Sequence, residues 1–195
     1  MTVHDPKQFI LEYLSLPPNS PEPGPPPPMG SKLGGKPGQV WRGAGRAARA
    51  ATVRFLKQCI IPNCQVHAVA FEDEAGLQWD YICYIVQDEQ GFWHMEAAGG
   101  LSEGKMRQAT QSFPWAHLVG GGWEDHFWAG GYITDNASDK ERVRLISKNG
   151  QVLEDIVQNS LVLFLTDQET QAPVEVELYN RSGGLVGTQT LFQVV

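Results

Sequence analysis

Between Pro17 and Gly38 the chain reads PPNSPEPGPPPPMGSKLGGKPG, and this tract limits what everything around it can become. It holds nine of the thirteen prolines, and proline has no N–H to give to a helix or sheet ladder. No apolar period runs through it. It reads as a linker, stiff and extended in its proline part and loose in its glycine part. Pro25 to Pro28 could also serve as a polyproline ligand, but the nearest base, Lys32, is a poor flank for one. The tract separates a short segment, 1–16, from a body that begins at Gln39.

The short segment contains FILEYLSL, in which Phe9, Ile10, Tyr13 and Leu14 make an apolar stripe at helical spacing. Two turns of helix are marginal alone, and so much apolar surface at the end of a solvated linker requires cover. The expectation is docking as a short helix into an apolar groove, on a partner protein or on a second copy in a homo-oligomer. Because residues 1–38 supply no core of their own, they are expected to be dispensable for folding of the body.

Residues 39–59, QVWRGAGRAARAATVRFLKQC, read as one amphipathic helix. Val40, Ala44, Ala47, Ala48, Ala51 and Phe55 fall on one side, and Arg42, Arg46, Arg49 and Lys57 on the other. Residues 23–71 carry seven bases and no acid, against seven bases and nineteen acids over 72–195. Arg42, Arg46 and Arg49 are therefore a candidate anion contact, or a face that pairs with the acidic remainder. No interleaved aromatics or RNA-binding motif accompany them, which argues against nucleic acid.

Strands are expected at 64–72, 78–87 and 91–97, joined by EDEAGL and the tight DEQG turn into an antiparallel meander. The expected fold class is thus α+β over 39–100, one long helix packed on a meander. Residues 99–126 show no element, and 101–126 read as an inter-domain connection. Beyond lie short strands at 127–134, 141–148, 151–157, 161–166, 173–180 and 184–193. Hairpin turns are expected at Asn149-Gly150, as type I′, and at Ser182-Gly183-Gly184. Residues 127–195 then form an all-β sandwich.

Helix followed by meander resembles the cystatin-like and NTF2-like α+β folds over some 60 residues, and the sandwich resembles immunoglobulin-like or fibronectin-like modules of bacterial proteins. Cystatin-type inhibition is not implied, because QVHAV lacks the glycine of the inhibitory hairpin and Pro114-Trp115 stands alone. The NTF2-like resemblance implies an alternative: a small-molecule binder or enzyme with its pocket between helix 39–59 and the meander. Asp80 and Glu96, near Tyr81 and His94, would then be the acid/base pair.

The stretch GGGWEDHFWAGG at 120–131 concentrates glycine, aromatics and titratable groups. No helix follows its glycines to cradle a phosphate. Glu124 and His126 could converge, but two ligands do not make a metal site. It reads as a glycine-jointed crossing, and Trp115, Trp123, His126 and Trp128 are the residues that would line a groove there. Cys59, Cys64, His67 and Cys83 lack a C-x-x-C pair and read as buried thiols and a core histidine. Asp135, Ser138 and Asp139 lack the glycine and terminal Glu of a calcium loop. No catalytic residue, metal or cofactor is expected. No apolar run approaches the roughly 20 residues of a membrane span, the start lacks a basic n-region, and an odd set of cysteines suits the cytoplasm. The overall expectation is a non-enzymatic, two-module interaction protein of the adaptor or assembly kind.

Overall fold

A computed structural model describes residues 5–17, 47–102, 116–122, 126–134 and 140–192. Among them stand eleven strands in three antiparallel sheets, one ten-residue helix and one short 3-10 turn. The fold is mostly β, and the expected α+β class is overturned.

Among the described residues no long helix lies on the meander. Where it was expected, Ala48 makes a single bridge to Asp73, a 3-10 turn covers Ala50–Thr52, and strand β1 runs Arg54–Ile61. The aromatic and β-branched side chains of RFLKQCII favour a pleated strand over a helix. Gly43 and Gly45 also interrupt the alanine run, each at about 1 kcal/mol against helix. Residues 39–46, with Arg42 and Arg46, lie outside the described residues.

The chain divides into two compact units, Met1–Leu56 with Pro62–Gly104, and Lys57–Ile61 with Lys105–Val195. The first holds the helix α1 (Pro6–Ser15) and the strands β2 (Cys64–Glu72), β3 (Gln78–Gln87) and β4 (Trp93–Ser102), in the sheet order β1-β2-β3-β4. Asp5 caps α1 by accepting a hydrogen bond from the Lys7 N–H at 3.0 Å, and Pro6 takes a first-turn position where its missing N–H costs nothing. At the other end, the Leu14 carbonyl, left over by the helix, accepts from the Ala48 N–H at 2.7 Å. Phe9, Ile10, Tyr13 and Leu14 are buried in one core with Val69 and Phe71 of β2, Tyr81, Cys83 and Ile85 of β3, and Trp93 of β4. Those strand residues alternate, so α1 covers one face of the meander.

The second unit pairs β5 (Ala116–Gly121), β6 (Phe127–Ile133) and β9 (Leu161–Thr166) in one sheet, in the order β5-β6-β9. The other sheet holds β7 (Lys140–Ser147), β8 (Val152–Ile156), β10 (Val174–Asn180) and β11 (Leu185–Leu191), in the order β11-β10-β7-β8. Phe127, Ala129, Val162 and Phe164 from the first sheet share a core with Val143, Leu145, Val176 and Leu178 from the second. Two sheets closed over one apolar layer make a sandwich compatible with an immunoglobulin-like class. In constant-type sandwiches the fourth strand joins the sheet of the first, second and fifth. Here the fourth, β8, pairs with the third, β7. Strand β5 occupies a stretch in which no element was expected, and β4 continues to Ser102.

Four hairpins share one construction. In Asp73–Leu77, Asp88–Phe92, Ser147–Gln151 and Asn180–Gly184, the N–H of the fourth residue, a glycine, donates to the carbonyl of the first at 2.9–3.0 Å. Gly76, Gly91, Gly150 and Gly183 all take φ of 81–86°. These are three-residue loops, a turn followed by a left-handed glycine. The type I′ turn expected at Asn149-Gly150 is thereby corrected, since Gly150 alone takes a positive φ there.

Candidate functional site

The residues singled out in the sequence separate in the structure. Phe9, Ile10, Tyr13 and Leu14 do sit on a short docked helix, but the surface they dock on is the chain's own meander. Of the three candidate anion-binding arginines, Arg49 falls within the described residues. It forms an ion pair with Glu72 and donates to the Glu74 carbonyl at 3.0 Å. It serves the acidic part of its own unit.

Trp115, Trp123 and the Glu124-Asp125 pair lie outside the described residues. Trp128 is buried on β6 and His126 is half-buried before it. The glycines around them have a backbone reason. A Cβ at Gly120 would stand 2.5 Å from the Trp128 carbonyl oxygen, and one at Gly131 would stand 1.9 Å from that of His117. Glycine lets β5 and β6 close together, so the stretch belongs to a hairpin of the sandwich.

Asp80 and Glu96 are not brought together. Glu96 lies at a bulge in β4 opposite Tyr84 and Ile85, whereas Asp80 is four residues earlier on β3, roughly 13 Å along the strand. His94 pairs instead with Asp88, Nε2 to Oδ2 at 2.9 Å. The other Asp88 oxygen accepts from the Gln90 and Phe92 N–H groups. Partial burial opposes the Asp88 carboxylate, yet the His94 ring and those two amides outweigh it and hold its pKa below the usual value. The pair locks a hairpin. An Asp opening a D-x-x-G turn with His two residues past its end is the signal that could have identified it.

None of the three cysteines is in a disulfide. His67 and Cys83 are opposite each other on neighbouring strands. Burial pushes the Cys83 thiol up to about 12 and, with Lys7 nearby, the His67 ring down to about 4. Both are neutral near pH 7, and neither is set up as a nucleophile or base. Asp135, Ser138 and Asp139 lie outside the described residues. Among the described residues no cluster of three His, Cys, Asp or Glu side chains could hold a metal ion, and no helix is long and apolar enough to cross a membrane.

What the sequence reading missed is a surface. Val143, Leu145, Val176 and Leu178 point into the sandwich, so their alternates on β7 and β10 occupy the solvent face. Register places Leu185, Tyr179, Arg142 and Ile156 in one row across the four strands. Thr188, Glu177, Arg144 and Glu154 form the next, and Thr190, Glu175, Ile146 and Val152 the third. The guanidinium carbons of Arg142 and Arg144 stand 4.8 and 5.1 Å from the Tyr179 ring centre. Arg144 also meets Glu154 at 2.7 Å, and Tyr179 donates its hydroxyl proton to Glu177 at 2.6 Å. Hydrogen bonding to Arg144 draws the Glu154 pKa down, and hydrogen bonding to Glu177 raises that of Tyr179. At the two edges Val152, Ile156, Leu185 and Val186 are 52, 55, 54 and 43% exposed. Comparison of the chain with protein-family models, curated proteins and solved structures finds no match.

Proposed function

We propose that the protein is a non-enzymatic, two-module interaction protein of the adaptor or assembly kind, and that it binds through the solvent face of the β11-β10-β7-β8 sheet. The observation that carries this is the set of four exposed aliphatic side chains on the two edge strands, flanking a Tyr–Arg–Glu lattice. Tyrosine and arginine are, with tryptophan, the side chains enriched at the energetic centres of protein interfaces. Here they are already held against one another, so less side-chain freedom is lost when a partner covers them. The N-terminal docking segment acts in this reading as an internal clamp. Phe9, Ile10, Tyr13 and Leu14 can reach a partner protein or a second copy only by leaving their own sheet. Cytoplasmic residence is part of the proposal and draws on the odd, sparse set of three cysteines.

The test is affinity capture on immobilised full-length protein beside the Val152→Asp/Ile156→Asp variant, with matched melting curves. Proteins held by the wild type and lost by the variant support the reading. Identical sets on both overturn it.

A further inference from the structure

We infer that the occupant of this sheet face is a second copy of the same chain, packed face to face about a two-fold axis. This rests on the reading of the face as an interaction surface and adds which partner it fits. The support is that the lattice is complementary to itself in one orientation. Place the axis in the interface, roughly along the strands, between β10 and β7. Column β10 of one copy then lies over β7 of the other, and β11 over β8. Glu177 meets the other copy's Arg144, and Tyr179 meets its Arg142. At the rim Leu185 covers the other copy's Ile156. Glu177 and Arg144 meet in the middle row with Thr188 over Glu154, and Leu185 and Ile156 meet at the rim. In the third row Thr190 faces Val152 and Glu175 faces Ile146, each contact occurring twice, as an isologous interface requires.

The competing orientation fails on the same grid. An axis in the interface but across the strands leaves the middle row facing itself, with Glu177, Arg144 and Glu154 each opposite its own copy. Like charges placed directly opposite are destabilising. The twelve positions span roughly 14 Å by 14 Å between Cα atoms. That is smaller than the roughly 800 Å² per partner of a standard interface once side chains are counted, so the pairing is weak and concentration-dependent. A dissociation constant on the order of 10⁻⁴ M is expected.

Two measurements on the full chain test it. Sedimentation equilibrium should show the mass rising from one chain toward two between roughly 10 µM and 1 mM. Arg144→Glu should weaken the association at least tenfold, and Arg144→Glu/Glu177→Arg should recover most of it. The second measurement is thiol cross-linking with a bis-maleimide whose reach matches the roughly 10 Å between facing sheets, with the wild-type chain as the control for its native thiols. An equimolar mixture of Ile156→Cys and Leu185→Cys chains should give a mixed cross-linked dimer, while either variant alone gives no more than the wild type.

A chain that stays monomeric to 1 mM, or cross-links that form equally with one variant alone, overturns the inference. If that monomer still captures a different protein that Val152→Asp/Ile156→Asp loses, the second copy is refuted and the interaction face stands. If neither self-association nor face-dependent capture occurs, both fall.

Discussion

Gln189 bonds to the edge strand β5 as a neighbouring strand would. Its side-chain amide accepts from the Ala116 N–H at 3.2 Å and donates to the Ala116 carbonyl at 3.0 Å, both within the core. Gln189 belongs to β11 and Ala116 to β5, so one side chain ties the two sheets of the sandwich together. Gln189→Leu keeps the volume and orphans both backbone groups. The expected loss is about 3 kcal/mol, since an unsatisfied buried partner costs about 1–3 kcal/mol, read as a fall in the urea midpoint with unchanged slope. His67 makes a prediction of a different sign. Its Nε2 lies 2.8 Å from Gln65 Oε1, its ring meets Phe55 edge-on at 5.7 Å, and its pKa falls to about 4. The unfolded chain titrates near 6.5 and takes up the proton first. Stability is therefore complete above about pH 6.5 and is lost as pH falls toward 4, by up to about 3 kcal/mol for this group alone. Denaturant midpoints for His67→Phe should vary less with pH across that window than those of the wild type. An unchanged slope would show that His67 is not the group responsible.

Helix α1 reverses an expectation at the scale of the element. A segment that looked dispensable supplies four buried side chains to the core of the first unit. Each fully buried residue of this size contributes about 1.5–3 kcal/mol. A chain beginning at Gln39 should therefore melt well over 5 °C lower, and Ile10→Asp should come close to it. Turn loops behave more simply. A Cβ at Gly150 meets nothing within 4 Å, so Gly150→Ala carries the cost of the left-handed backbone alone, about 1 kcal/mol. Gly131→Ala places a methyl against the His117 carbonyl and should cost several times more. These cases also show what could be read in advance. Strands β2, β3 and β9 carry β-branched and aromatic side chains between Gly-marked turns, and the sequence placed them to the residue. Strand β1 was hidden because the alanines and arginines before it share the helical period. Strand β5 was hidden because AHLVGG ends in glycines whose purpose is the close approach of β6. The interaction face needed pairing register, including the bulge between Leu178 and Tyr179, and register is a long-range property.

At the scale of the whole molecule, the units do not follow one another along the chain. Lys57 sets its ammonium against Asp155 Oδ2 at 2.6 Å and donates to the carbonyls of Ile156 and Leu161. Asp155 also accepts from the Leu163 N–H at 2.7 Å. Lys57→Met leaves that carboxylate short of its cation. Breaking a buried pair costs about 3–5 kcal/mol, and partial exposure here reduces the expectation to about 2 kcal/mol. Amide exchange at Leu163 should accelerate accordingly, while the first unit's amides keep their protection. The clamp at the start of the chain has a consequence of another kind. Tyr13 is buried against a surface completed by Trp93, eighty residues later. At roughly 5–20 residues per second of synthesis, the helix waits about 4–16 s for the strands that will cover it. During that interval its apolar stripe is available to whatever stands at the ribosome exit.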